Sequence, residues 1–161
     1  MPLISFKAST KLTIITKLTI ITNMRKRTKA REFALQILYQ IDITRDQYEA
    51  TLNNFWQAHS EDEIDDDVCQ FTGELVKGVI ENLGLIDEKI AQYAANWELT
   101  RMAVVDRNIL RLTGFELLFR DDIPPKVAIN EGVELAKKYS DINAGKFVNG
   151  ILDKIKLEKN K

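Results

Sequence analysis

Five cations fall within seven positions of this chain: Arg25, Lys26, Arg27, Lys29 and Arg31, with no acid between them. Groups at this density grip phosphate, and guanidinium planes also stack on unpaired bases, so the chemistry on offer is polyanion binding, nucleic acid first. A helical wheel puts Tyr39 opposite the apolar stripe of the same segment, near Lys29, Glu32 and Gln36, where a ring can stack a base. Eight of the 23 Lys and Arg residues precede Glu32, the first acid in the chain, and the remaining 15 are set against 24 acids. The net charge of −1 therefore hides a basic amino-terminal arm on an acidic body, which suits an anionic partner touching one end.

Catalytic chemistry has little to work with. His59 is the only histidine and Cys69 the only thiol, and a surface imidazole and a small helical core residue explain them more simply than a nucleophile and its base. Zinc ligation lacks a second Cys or His at ligand spacing. Asp106 and Glu116 share one predicted helix, but ten residues at about 1.5 Å each separate them by about 15 Å, too far for a glycosidase pair. Such inward carboxylates are expected to pair with Arg or a backbone amide. The acidic run from Glu61 to Asp67 lacks the glycine and alternating oxygens of a calcium loop, and no phosphate-cradling glycine loop is present. The sequence therefore implies no catalytic residue, metal or cofactor. A single Cys fits a reducing cytoplasm, and no apolar run approaches the roughly 18 residues that a bilayer demands.

The elements that must carry these residues read as helices throughout. Ala30, Phe33, Ala34, Ile37, Leu38 and Ile41 form one stripe, and Tyr48, Leu52, Phe55 and Trp56 form a second. Ser60 and Glu63 have the spacing of a capping box ahead of Asp65, Asp66 and Asp67. Val68, Phe71, Leu75, Val76, Val79 and Ile80 follow, with Gly84 as the expected stop. Ile86, Ile90, Tyr93 and Trp97 predict a fourth helix, and Met102, Val105, Ile109 and Leu112 a fifth. Pro124 and Pro125 break the chain. Ala128, Gly132, Leu135, Ala136 and Tyr139 mark a sixth helix, and Asn143 is placed to cap a seventh that buries Phe147, Val148, Ile151, Leu152 and Ile155. The expectation is an all-α fold of about seven helices, in two packed subdomains over residues 24–83 and 85–156 that share one core.

Residues 1–23 differ from the body. KLTIIT occurs twice in tandem, at Lys11–Thr16 and Lys17–Thr22, too short a period for a solenoid. The segment reads as a non-native or disordered extension, with the working protein opening at Met24, and its Thr and Ile favour extended backbone.

Four strings, RTKAREFALQILY at Arg27–Tyr39, ILRLTGFEL at Ile109–Leu117, IPPKVAINEGVELAK at Ile123–Lys137 and KFVNGILDK at Lys146–Lys154, occur in an order and spacing that resemble the transcription antitermination factor NusB family of bacteria. The resemblance spans residues 25–156. It implies the NusB fold and a non-enzymatic adaptor that binds boxA-type single-stranded RNA together with NusE, a small-subunit ribosomal protein. The implied setting is the RNA polymerase antitermination complex on ribosomal RNA operons. Carried over by position, it implies RNA contacts at Arg27, Lys29, Arg31 and Tyr39 and at Lys146 and Phe147, with Arg25 joining through the cation cluster. Thr28 stands where some relatives keep another Arg. Glu116 is expected as a buried paired carboxylate, Asn130 and Glu131 as fold support ahead of a partner-facing role, and Gly150 as a close helix approach. A homodimer that masks the RNA face is a further possibility within the family. Two other readings stand beside it: a plain helical protein-interaction module, and a stand-alone relative of the RNA-binding domain of ribosomal-RNA cytosine methyltransferases.

Overall fold

The computed structural model describes residues 2–94 and 97–159, with side chains from Thr10 onward. Seven helices run in chain order: α1 (Pro2–Thr44), α2 (Tyr48–Ala58), α3 (Asp66–Glu81), α4 (Leu83–Tyr93), α5 (Val104–Phe119), α6 (Pro125–Tyr139) and α7 (Ile142–Lys159), with a short 3-10 turn at Leu99–Arg101. No strand occurs among the described residues, in agreement with the all-α expectation.

Helix α5 is the axis of the molecule. Every residue from Asn108 to Leu117 is buried, because α1, α3, α4, α6 and α7 all pack around it. A helix enclosed on all sides must satisfy its polar residues internally. Glu116 meets Arg31 of α1, while Asn108 and Arg111 meet Asp42 of α1. These pairings run in opposite senses along the two helices, so α1 and α5 are antiparallel. Buried apolar side chains from α1 and from α3 through α7 form one continuous cluster. Helix α2 closes it with aromatic edges: Phe33 meets Phe55 at 5.4 Å and Trp56 at 5.8 Å between centroids, a geometry that adds stability beyond area burial.

Several boundaries differ from expectation, each for a local reason. Ser60 and Glu63 form no capping box, since α3 begins only at Asp66. Asn82 ends α3 by donating its side-chain amide to the Gly78 carbonyl at 2.8 Å, which leaves Gly84 inside the first turn of α4. Asp141 rather than Asn143 caps α7, its Oδ1 accepting from the Ala144 amide at 2.6 Å. Gly150 is exposed and faces open space; the close approaches lie at Gly78 against the Phe115 ring and Gly132 against Thr113.

Residues 10–23 continue α1 instead of adopting extended backbone. The hydroxyls of Thr16, Thr19 and Thr22 donate to the carbonyls of Leu12, Ile15 and Leu18 one turn back, a bond that lets Thr sit in a helix without an idle polar group. The six-residue repeat advances about 240° around the axis, so its apolar residues spread over every face. They remain uncovered, from 45% exposed at Ile21 to 65% at Leu12.

Candidate nucleic-acid interface

Five cations at these helical positions spread over about 240° around α1, so they cannot share one face. Arg25 and Lys29, four residues apart, are exposed on one side. Lys26 and Arg27 turn toward α3 and the α5–α6 connection, where acids meet them. The Lys26 ammonium lies 3.0 Å from Asp65 and 3.4 Å from Asp67, and those hydrogen bonds raise its pKa while the Lys26 partnership lowers that of Asp65. Arg27 lies 3.5 Å from Asp122.

A groove of about 620 Å³ opens on this second side. The guanidinium groups of Arg27, Arg31 and Arg120 crowd over the Phe71 ring at 4.7, 5.5 and 5.4 Å from its centroid. Such crowding is tolerable because each cation has an acid: Asp122 for Arg27, Glu116 for Arg31, and Glu74 with Asp122 for Arg120. Hydrogen bonding to Arg120 holds the Asp122 carboxyl down at about 2. Cations neutralised in this way offer less to phosphate than their number suggests.

Arg31 departs from the expected arm. Its side chain is only 3% exposed, and Nε and Nη2 donate to the two Glu116 oxygens at 2.8 and 3.0 Å. Both groups are sealed between α1 and α5, so Arg31 fixes the scaffold and presents no guanidinium to a ligand. Glu116 is the buried paired carboxylate expected; burial pushes its pKa up, against the pull of the Arg31 hydrogen bonds. Glu131 accepts from Thr28 at 2.7 Å and so ties α6 to α1.

The first side of α1 joins the far end of the chain. Glu32 is approached by Lys29 at 3.5 Å and by Lys138 of α6 at 2.6 Å, and its hydrogen bond raises the Lys138 pKa. Two lysines share this carboxylate, which leaves positive charge beside exposed Arg25. The turn after Lys138 leads directly into α7, where Lys146 is exposed and Phe147 is half-buried. One amide at that helix start is taken by Asp141, so fewer N–H groups remain for a phosphate than an open helix end would offer. Tyr39 is exposed, as the wheel predicts, about 15 Å along α1 from Lys29 at a helical rise of about 1.5 Å per residue. Sequence reasoning missed Lys138, whose partner Glu32 lies 106 positions away; two lysines at the end of a predicted helix were the available signal.

Asp106 does not show the pairing expected of it: its Oδ1 is buried without a hydrogen-bond partner among the described residues, and burial raises its pKa. The His59 Nδ1 lies 2.8 Å from the Phe55 carbonyl and its ring stacks on Phe55. Burial, then Asp66 and Asp65, push the Cys69 thiol up, away from the thiolate a nucleophile needs. No group of three or more His, Cys, Asp or Glu residues among those described is placed to hold a metal, and no described helix is long and apolar enough to cross a membrane.

Known proteins share this architecture. A transcription antitermination protein NusB of Anaeromyxobacter dehalogenans is 48% identical over 130 residues, covering 81% of this chain and 89% of that protein. One from Thermodesulfovibrio yellowstonii is 42% identical over 140 residues, covering 83% and 93%. Among solved structures, T. maritima NusB superposes with a TM-score of 0.75 at 40% identity, over 82% of this chain and 91% of that one. A chain in the crystal structure of antitermination factors NusB and NusE in complex with double-stranded RNA superposes at 0.76 with 30% identity, over 84% and 98%. Residues 28–156 match the NusB family itself, and with these relatives covered nearly end to end, the chain belongs to the NusB family.

Proposed function

We propose that this protein is a transcription antitermination adaptor that binds boxA-type RNA together with NusE, in the cytoplasm and without chemistry of its own. The observation that carries the reading is the Lys29–Glu32–Lys138 bridge, which brings the basic arm and the entry to α7 onto one surface. Arg25, Lys29, Lys138 and Lys146 then supply cations along it, and Tyr39 and Phe147 supply rings. The solved complex of a similar NusB chain with NusE and double-stranded RNA supports NusE and RNA as partners. The rings favour an unpaired strand, since bases locked in a duplex do not expose their faces to a side chain. Arg27 and Lys26 join only if the RNA phosphates displace Asp122, Asp65 and Asp67.

The test is titration of a boxA-type RNA oligonucleotide at several salt concentrations, with NusE present. Replacing Arg25 and Lys29 by Ala lowers affinity and reduces the slope of log affinity against log salt by about 0.7 for each phosphate that is no longer neutralised. Unchanged affinity and slope, with unchanged thermal stability, overturn the reading.

A further inference from the structure

The apolar spacing that puts Trp97 on the inner face of a fourth helix is not realised. Helix α4 stops at Tyr93, and Trp97 follows it in the connection to α5, its amide donating to the Ala94 carbonyl at 2.9 Å. Trp97 is 56% exposed, large for a residue that normally hides most of its area. It is nonetheless held in place: its ring meets Phe147 of α7 at 6.2 Å between centroids and an interplanar angle of 64°, and Phe147 itself packs against the core. Lys146, one residue before Phe147, is exposed. An uncovered aromatic surface thus packs on the residue that follows an exposed cation near the start of α7.

We infer that Trp97 is a stacking platform for an unpaired base, extending the RNA contact of α7 onto the α4–α5 connection. This rests on the reading that the start of α7 meets RNA. Exposed tryptophans also anchor protein partners, but the local charge favours the nucleic acid: the ring's partner Phe147 directly follows exposed Lys146 on α7, and the carboxylate next in sequence to the ring, Glu98, is drawn to Arg101 at 3.5 Å. Stacking on an indole accepts any base, because every base has a π face. Trp97 therefore adds affinity and register along the strand without reading sequence.

The experiment uses the full chain with NusE and a short single-stranded boxA-type RNA oligonucleotide, and compares Trp97→Ala, Trp97→Leu, Trp97→Phe and the Arg25→Ala/Lys29→Ala variant. Trp97→Leu keeps an apolar contact for Phe147 and removes the indole, so it reports stacking even where the Ala variant loses stability. Expected are an affinity loss of about fivefold or more for Ala and Leu, an unchanged salt slope because no counterion is involved, retention of most affinity by Phe, and RNA quenching of tryptophan emission that disappears in Trp97→Phe. If the Ala and Leu variants bind RNA as the parent does while the Arg25 and Lys29 variant is weakened, the stacking role is overturned and the RNA surface stands. Loss of NusE binding with RNA affinity intact overturns it in favour of a protein contact. Parental RNA affinity in every variant overturns the RNA surface and this inference together.

Discussion

The Arg31 guanidinium grips both oxygens of Glu116 at 2.8 and 3.0 Å across the α1–α5 interface, with both side chains sealed from solvent. Removing one partner strands the other charge in the interior. Arg31→Ala is therefore expected to cost about 3–5 kcal/mol in urea unfolding, whereas Arg31→Met with Glu116→Leu costs far less because neither charge is left behind. Equal losses in the single and double variants would show that packing, not charge compensation, is what the pair provides.

Gly78 and Gly150 separate helix contacts from open helix surface. A Cβ on Gly78 would stand 2.0 Å from the Phe115 ring, while one on Gly150 meets nothing within 4 Å. Gly78→Ala should destabilise by about 1–3 kcal/mol through overpacking, and Gly150→Ala should stabilise by up to about 1 kcal/mol through helix propensity. Thermal unfolding of the two variants checks the opposed signs.

Asp65 and Asp67 hold Lys26, a cation that the proposed RNA surface would otherwise gain. Neutralising both as Asn frees one cation beside the arm, and exposed pairs of this kind are worth about 0.2–1 kcal/mol. RNA affinity at moderate salt should rise by up to about fivefold. A fall in affinity would mean that these acids position Lys26 for its ligand instead of occupying it.

The pH dependence of stability has a definite sign at Asp122. Its folded-state pKa of about 2 lies below the ordinary value of 3.8, chiefly through Arg120, so its contribution is complete above about pH 4 and fades as pH falls toward 2. Because the carboxylate is half exposed, solvent screening keeps the effect small. Asp122→Asn should flatten the stability curve over that interval; urea midpoints between pH 2 and 5 measure it, and parallel curves would show that Arg120 leans on Glu74 instead.

How much of this was legible in the sequence divides by range. The stripe of Ala30, Phe33, Ala34, Ile37 and Leu38 was readable because period and burial coincide within one helix. Trp97 matched the same period but lies beyond the end of α4, since periodicity says which face a residue would take and not where hydrogen bonding stops. The site was less legible still. Arg31 and Arg27 look alike as letters, and only Glu116, 85 positions away, makes one of them structural. Charge counts locate a basic arm; they do not reveal which cations the fold has already neutralised.

Helix α1 passes without interruption from the exposed Arg25 and Lys29 into the turns of Ala30, Ala34 and Ile37 that fill the centre of the protein. On the proposed reading, a strand of RNA closing on those two side chains would meet backbone that is already helical. Only rotamer freedom remains to be surrendered, about 1.5–2 kcal/mol for each long side chain, whereas a floppy tail would forfeit a further 1–2 kcal/mol of main-chain entropy per residue ordered. Any lesion that loosens the interior would for the same reason slacken the grip at the surface.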